Sequence, residues 1–394
     1  MAPRIVFAFL AAASLTTPLA AETAVIETQS ASSIDYSQFA PDADVREHRI
    51  DYQHWDEALA WIVIPMGPSI REGAPRVEPL TGTRRIYGHE SRYRLEGNRV
   101  AFSLLEDEVI AGIRAYRSDL ERMATELEIT RLPRNEQLAF WINLHNIAIV
   151  EALAGEYPLA RPEDRTFGAN GAGLDDAKLV SVNGVALSPR EIREEIVYAN
   201  WRDPKVMYGF WRGTIGGPSI QRLAYTGENV DALLSLSAEE FVNSLRGVEE
   251  WGDTLRVSQI YEEAAPYYFS DFGALRAHLS QFAAEDVGEL LRETDETAYN
   301  SFDGDIADMT RGEYDPDFNF VSFIDCRNNF CRPGQAPAAN AFVPYRTRPD
   351  LGVQRLMRER ALKLQRAEER GIRLGMVIFG DGRGTDGAEP AEVE

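Results

Sequence analysis

The sequence is poor in cysteine, histidine and basic residues, and each shortage argues against a class of function. Its 394 residues include two cysteines and five histidines, and 41 Lys and Arg stand against 63 Asp and Glu, for a net charge of −22. Nucleic-acid binding is not expected, because phosphate contact needs a basic face. The acidic charge favours solubility and identifies no partner. No internal repeat is found.

Both cysteines lie in one short segment, DCRNNFCRPG. In an oxidising compartment, Cys326 and Cys331 predict a short-loop disulfide. Two cysteines make a poor zinc site when no histidine follows at ligand spacing. Their pairing would leave no free thiol for catalysis. We expect no metal site and no cofactor.

The N-terminus has the form of a secretory signal peptide. Arg4 precedes an apolar run from Ile5 to about Leu15, and small residues then predict cleavage after Ala20 or Ala21. A transmembrane anchor would be longer, no cysteine near the cleavage site supports a lipid anchor, and no later segment is expected to span a membrane. We therefore expect an exported protein, periplasmic or secreted, without a transmembrane anchor.

The stretch from Asn135 to Pro158 predicts the central helix of the fold. Its sequence, NEQLAFWINLHNIAIVEALAGEYP, is apolar on nearly every side. Such a helix belongs in the middle of a globular core. The amides of Asn143 and Asn146 must find partners there, so they either hold neighbouring loops or line a site.

The other segments predict an α+β fold with a mainly helical core, a small β-sheet and a C-terminal extension. An amphipathic helix is expected over Ser103–Leu127, where Ser103 and Glu106 form a capping-box pattern, and it should pack against the central helix. The sheet is expected from residues 179–187, a hairpin around Asn183-Gly184, and from residues 205–220 and 255–260. The expected organisation is a signal peptide (1–21), a flexible leader (22–44), a main domain (45–308), a C-terminal extension with the disulfide (309–379) and a disordered acidic tail (380–394).

Several blocks, in order, resemble the family called domain of unknown function 547. AFWINLHN at 139–146 resembles the family's AFWINLYN and is the most specific block. Further blocks at 182–192, 203–220 and 261–272, and a weaker one near Asp303, extend the resemblance from about Trp55 to Asp308. The resemblance implies a family fold without an agreed activity.

The sequence departs from the family pattern where that pattern carries thiol and imidazole groups. The family commonly shows a His, two Cys and a Glu-His pair at positions that here hold, in that order, Met207, Arg212, Gly217, Arg193 and Glu194. If family members use a Cys and a His as nucleophile and base, this chain has lost both. The resemblance therefore does not imply that thiol chemistry is retained.

Five residues are candidates for a binding site, each with a structural alternative. They are Asn143, His145, Asn146, Trp211 and Arg212. Arg212 lies in an aromatic, glycine-rich loop and could bind a carboxylate or phosphate in bidentate fashion, or form a salt bridge within the protein. His145 could fill space and make one hydrogen bond, and the two asparagines could bind loop backbone instead of a ligand.

Other candidate chemistries are weaker. Paired carboxylates for acid/base catalysis could come from Asp175 and Asp176 with Lys178, or from Glu191, Glu194 and Glu195, although adjacent acids on a helix usually form a solvated face. Asp303, Asp305 and Asp308 lack the glycine and terminal glutamate of a helix-loop-helix calcium site. The GANGAG segment lacks the preceding strand of a dinucleotide loop, and Ser69 and Ser219 lack a G-x-S-x-G context.

Two hypotheses follow. The first is a non-catalytic binding or scaffold protein of the cell envelope, whose ligand or protein partner is unknown and for which Arg212, Trp211 and Asn143 would line a recognition groove. The alternative is an envelope hydrolase or transferase that uses carboxylates. The missing Cys and His favour the first.

Overall fold

The computed structural model describes residues 34–43, 45–79, 86–313 and 350–372. The predicted signal peptide, both cysteines with their predicted disulfide, and the acidic tail lie outside the described residues. The chain divides into two units, Met1–Asp35 and Tyr36–Glu394. Every helix and strand of the described residues belongs to the second unit.

The predicted α+β class is confirmed, with helices forming most of the core. Among the described residues the helices are α1 Gln53–Ile62, α2 Asp107–Glu126, α3 Arg134–Glu156, α4 Pro189–Glu191, α5 Val230–Val242, α6 Ile260–Tyr268, α7 Phe272–Leu279, α8 Glu285–Glu293 and α9 Leu351–Glu369. The strands are β1 Val63–Ile64, β2 Arg99–Val100, β3 Val180–Val182, β4 Val185–Leu187, β5 Val248–Trp251, β6 Thr254–Val257 and β7 Glu296–Tyr299.

The strands of the described residues form three small sheets, whereas the sequence predicted one. β1 pairs with β2 and β3 with β4, both antiparallel, while β6 lies between antiparallel β5 and parallel β7. The β3–β4 hairpin turns at Asn183 and Gly184, which both have positive φ, as the sequence predicted. The strand predicted within residues 205–220 is wrong. Pro204–Gly209 is a 3₁₀ helix, started by Pro204 and by the Asp203 carboxylate, which accepts from the Lys205 N–H.

α3 is the central helix, as predicted, and it is buried on every side. Seventeen of its 23 residues are buried, from Glu136 to Ala154. Its length and composition would allow it to cross a membrane, contrary to the expectation from the sequence, but 83% of its most apolar window is buried inside the protein. α2 packs beside it, and Arg114 and Arg117 of α2 both bind Glu151 of α3.

Two asparagines of α3 hold loop backbone in the core. The Asn143 amide donates to the Tyr225 carbonyl (2.7 Å) and accepts from the Tyr225 N–H (3.1 Å). Asn146 donates to the Gly209 carbonyl (2.9 Å) and accepts from the Trp211 N–H (3.0 Å). These bonds supply partners for backbone groups of Gly209, Trp211 and Tyr225, since buried backbone groups require partners.

Two helix starts differ in their caps. α2 begins at Asp107 and not at Ser103, and its N-cap residue, Glu106, makes no side-chain capping bond. The capping box forms instead at Ser188 and Glu191, where Pro189 opens α4. α4 continues directly as a π-helix, Ile192–Tyr198. π-Helices are rare in proteins, and those that occur often lie at functional sites.

α9, part of the predicted C-terminal extension, contacts the segment before α2. Glu359 binds the buried Arg94 with two bonds of 2.7 and 2.9 Å. The Lys363 ammonium donates to the carbonyls of Gly67 (3.2 Å) and Leu95 (2.8 Å). Leu356 joins Met66, Leu95, Ala101 and Met309 in a second, smaller core.

Replacing Asn143 by Ala should destabilise the fold strongly. The change leaves the buried N–H and carbonyl of Tyr225 without partners, at about 1–3 kcal/mol for each group. The free energy of unfolding, measured by urea denaturation, should fall by about 2–5 kcal/mol. Glu156→Ala, at the exposed end of the same helix, should change it by less than about 0.5 kcal/mol. Equal effects of the two changes would show that the Asn143 bonds contribute little.

Candidate functional site

A fully buried arginine lies at the centre of a group of charged side chains. The Arg193 side chain comes from the π-helix that follows α4 and is 0% exposed. It donates to both oxygens of Asp175 (2.8 and 2.6 Å) and to both oxygens of Glu263 (2.9 and 3.0 Å). Asp175 precedes β3, and Glu263 lies in α6. Arg193 thus joins three separate parts of the chain.

Arg212 completes this group, which we call the ion cluster: Asp175, Arg193, Arg212 and Glu263. Arg212 binds Glu263 with two parallel bonds of 2.8 and 2.6 Å and lies 3.7 Å from Asp175. Its side chain is 11% exposed. The sequence left open a ligand or an internal salt bridge for this arginine, and the structure gives it an internal carboxylate. Gly217 makes room for it, because a Cβ there would lie 3.0 Å from the Arg212 Cγ.

His145 connects the ion cluster to the core helix. Its Nε2 atom lies 3.1 Å from the Arg193 Nη1 atom, and its Nδ1 atom lies 3.0 Å from the Asn146 Oδ1 atom. A guanidinium only donates hydrogen bonds, so Nε2 accepts and Nδ1 carries the proton. The chain of bonds therefore runs from Arg193 through His145 to the amide that holds the 209–211 backbone.

The charges of the cluster fix the ionisation of its members. Burial alone would raise the pKa of Asp175 and of Glu263, but the guanidinium groups of Arg193 and Arg212 outweigh it and hold both pKa values far below the usual range. Burial, with the same two guanidinium groups, lowers the pKa of His145 to about 3. At neutral pH the carboxylates are therefore charged, and the imidazole is neutral.

The ion cluster forms one wall of a surface cleft of about 380 Å³. The cleft is lined by Asp175, Arg190, Glu194, Arg212, Gln259, Ile260, Glu262, Glu263 and Phe302. Burial and the negative charge of Glu263 raise the pKa of Glu194 above its usual value. Arg190 contacts Glu194 at 3.4 Å, a longer contact than its 2.7 Å bond to Asp176. Among the cleft acids that contact an arginine, Glu194 therefore has the weakest ion pair.

The structure brings only part of the predicted site to this cleft. Arg212 lines it and His145 lies behind it, next to Asn146. Trp211 and Asn143 are each 1% exposed and do not line the cleft. Asn143 binds the Tyr225 backbone, and Trp211 stacks on Phe102 with ring centroids 6.4 Å apart.

Three members of the cluster, Asp175, Arg193 and Glu263, were not among the five predicted site residues, although Asp175 was weighed as one of a pair of catalytic carboxylates. Arg193 was noted only as a departure from the family pattern, and Glu263 only as part of a resembling block. In the sequence, Arg193 and Glu263 each stand next to an acidic residue, Arg193 in REE and Glu263 in YEEA. No local pattern distinguishes such a buried acid or arginine from a solvated one, so the pairing could be found only in three dimensions.

Asp303, Asp305 and Asp308, weighed above as calcium ligands, are bound by protein groups. Asp308 is buried and accepts from His89 Nε2 (2.9 Å), Thr310 and the backbone N–H groups of residues 310–312. Asp305 binds Arg311 at 3.0 Å, and Asp303 accepts from Ser91. Within the described residues, no group of three or more His, Cys, Asp or Glu side chains is arranged to hold a metal.

The buried histidine makes the stability of the fold depend on pH. The pKa of His145 is about 3 in the fold and 6.5 in an unfolded chain, so unfolding takes up a proton between these pH values. The free energy of unfolding should therefore fall as the pH decreases through this window, by up to about 1.4 kcal/mol per pH unit for this group. In contrast, Asp175 and Glu263 have lowered pKa values, so their contribution is lost only as the pH falls below about 4.

Denaturation of the His145→Gln variant between pH 4.5 and 7 tests this dependence. Gln keeps one donor and one acceptor but does not titrate, so the slope of unfolding free energy against pH should decrease by about one proton. His54→Gln is the matched control, because that side chain is 83% exposed. An unchanged slope in His145→Gln would contradict the assignment of a neutral His145.

The comparisons with known proteins found a match to one family model. No curated protein and no solved structure matches the chain. The family match is shorter than the resemblance traced from Trp55 to Asp308, and it leaves out α6 with Glu263. Residues 129–242, which supply α3, Asp175, Arg193 and Arg212, match the model of the family described as "Protein of unknown function, DUF547", so this part of the chain is similar to that family.

Proposed function

We propose that this protein is exported to the cell envelope and binds a ligand or protein partner, without catalysing a reaction, at the cleft beside the ion cluster. The observation that carries the proposal is the bidentate pairing of Glu263 with both Arg193 and Arg212. Groups held in this way are rigid and preorganised, which suits recognition. They are poorly suited to transferring protons.

The chemistry of the cleft argues against catalysis by its inner residues. A general acid or base works best with a pKa near the operating pH. The carboxyl pKa values of Asp175 and Glu263 lie far below this range, and the pKa of His145 is about 3. The positions where the family commonly shows Cys and His hold Arg212 and Glu194 at this cleft. No thiol nucleophile is therefore present among the residues that line it.

One observation favours the alternative, an envelope hydrolase or transferase that uses carboxylates. Glu194 and Glu263 both line the cleft. The pKa of Glu194 is raised, whereas the pKa of Glu263 is lowered. Two carboxyl groups whose pKa values are pushed apart are the usual arrangement for an acid and a base. The two proposals differ in whether Glu194→Gln removes turnover or only binding.

A thermal-shift experiment on the mature protein should reveal binding. Envelope extract, separated into small-molecule and macromolecular fractions, is added to wild type, Arg212→Ala and Glu239→Gln. Because a ligand that binds only the native state stabilises it, by about 2.7 kcal/mol at a hundredfold excess over Kd, one fraction should raise the melting temperature of wild type. Arg212→Ala should lose this shift, because Arg212 holds Glu263 in place and so maintains the wall of the cleft. Glu239→Gln, an exposed change in α5 that does not line the cleft, should retain it.

The same preparations should show no turnover of peptide or cell-wall substrates. Circular dichroism should show that Arg212→Ala is folded, because Glu263 keeps Arg193 as a partner in that variant. A shift that survives in Arg212→Ala would place the ligand elsewhere. Turnover that is lost in Glu194→Gln, with a pH–rate profile that reports the Glu194 pKa, would favour the hydrolase instead.

Export and the disulfide are part of the same proposal. They are supported by the signal-peptide pattern and by the spacing of Cys326 and Cys331. When the full chain is expressed with its own N-terminus in a bacterium, intact mass spectrometry of the periplasmic or secreted protein should show loss of residues 1–20 or 1–21. It should also be 2 Da lighter than the dithiol form, as expected for one disulfide. A cytoplasmic, full-length, reduced protein would contradict both predictions.

A further inference from the structure

The cleft carries an excess of negative charge. Three guanidinium groups, those of Arg190, Arg193 and Arg212, contact the acids at its inner wall and mouth. Six carboxylates lie in or directly beside it: Asp175, Asp176, Glu194, Glu195, Glu262 and Glu263. The acids therefore exceed the guanidinium groups by three.

The excess charge lies at the rim and not in the ion cluster. Asp175 and Glu263 are neutralised by Arg193 and Arg212 through charged hydrogen bonds. Glu194 has a single contact, at 3.4 Å, with Arg190. Glu195 and Glu262 are exposed and have no ion pair among the described residues. Of these three rim carboxylates, Glu195 and Glu262 are free to accept a cation, and Glu194 is held only by its 3.4 Å contact with Arg190.

Aromatic rings lie next to the rim carboxylates. Tyr267 is one helical turn after Glu263 in α6, on the same side of that helix, and is 38% exposed. Burial, followed by the negative charges of Glu194, Glu195 and Glu263, raises the pKa of Tyr267.

A second pair of rings extends this surface. Phe272 is also 38% exposed, and its ring centroid lies 5.3 Å from that of Tyr299. Tyr299 pairs with Val257 of β6, two residues before Gln259 of the cleft lining, and Phe302 lines the cleft itself. Exposed aromatic faces beside carboxylates are the surroundings in which proteins bind organic cations.

A buried hydroxyl beside the ion cluster also lacks a partner. Tyr198 is 4% exposed, and its hydroxyl makes no hydrogen bond among the described residues. Its ring contacts Tyr267, with centroids 5.5 Å apart. Burial, followed by the negative charge of Glu263, raises the pKa of this hydroxyl. Buried polar groups normally have partners, so an unpaired hydroxyl here fits a site that a polar ligand or water completes.

We propose that the ligand of this cleft carries alkylammonium groups, which bind between the rim carboxylates Glu194 and Glu262 and the exposed rings of Tyr267 and Phe272. The inference rests on the proposed binding function and specifies the chemistry of its ligand. An ammonium group donates three hydrogen bonds and accepts none, which suits a surface of unpaired carboxylates. The alkyl chain covers the aromatic faces. A free polyamine and the lysine side chains of a peptide share this chemistry.

The same arrangement disfavours an anionic ligand. A carboxylate or phosphate could bind Arg212 only by displacing Glu263 from two bonds of 2.8 and 2.6 Å. It would also have to approach the three rim acids, of which only Glu194 contacts an arginine among the described residues. Like charges brought together in this way reduce affinity, whereas a cation meets complementary charge.

Calorimetric titration of the mature protein with defined probes tests the proposal. The probes are tetralysine, spermidine, tetraglutamate and Mg²⁺, each at low and at physiological salt. Tetralysine or spermidine should bind saturably, and more weakly at higher salt because exposed charges are screened. Glu194→Gln and Glu262→Gln should each weaken binding about fivefold, and Phe272→Ala about threefold. Glu239→Gln removes the same charge elsewhere and should leave the affinity unchanged.

The possible results distinguish an error in the proposed ligand class from an error in the proposed binding function. Tighter binding of tetralysine than of spermidine would identify a basic peptide, and the reverse order a polyamine. Equal weakening by Glu239→Gln, equal binding of Mg²⁺, or no saturable binding of either amine would overturn the proposal. If an envelope fraction still stabilises the protein while both amines fail, the binding function stands and the ligand class is wrong. If neither binds, both proposals fail.

Discussion

A single guanidinium that is closed off from solvent determines how the parts of this protein meet. Arg193 is bonded to a carboxylate before β3, a carboxylate of α6 and the imidazole of α3. A buried charge is tolerated only when it is paired and hydrogen-bonded, and removing one partner of such a pair costs about 3–5 kcal/mol. The three elements can therefore pack in only one relative arrangement that satisfies this side chain. The cleft exists because that arrangement leaves Asp175 and Glu263 side by side at the surface.

The apolar core and the polar connections of α3 act together. Burial of Phe140, Trp141 and Leu144 on different sides of the helix fixes its position in the core, but apolar contacts are non-directional and do not set its rotation. Asn143, His145 and Asn146 supply the direction, because each forms hydrogen bonds with specific groups at fixed positions. The same side chains hold the loop that carries Arg212. Hydrogen bonds from the core helix therefore fix the position of the loop that forms part of the cleft.

The sequence predicted what depends on periodicity and on local turn chemistry. The apolar run of α3, the stripe of α2 and the Asn183-Gly184 hairpin were all found where the sequence placed them. The strand expected over 205–220 was wrong because Pro204 and the Asp203 cap start a 3₁₀ helix, while Asn146 supplies the backbone partners that a strand would otherwise need. The site was harder to predict than the fold. Arg212 was recognised, but its partner Glu263 lies 51 residues away, and nothing in the local sequence marks that pairing.

The contacts of α9 have a consequence for the order in which the chain can fold. The carbonyls of Gly67 and Leu95 and the guanidinium of Arg94, all early in the chain, obtain partners from Lys363 and Glu359, close to its end. Contacts so far apart in sequence are slow to form, since the long intervening loop must first be closed. During synthesis, the segment before α2 would remain without these partners until nearly the whole polypeptide had been made.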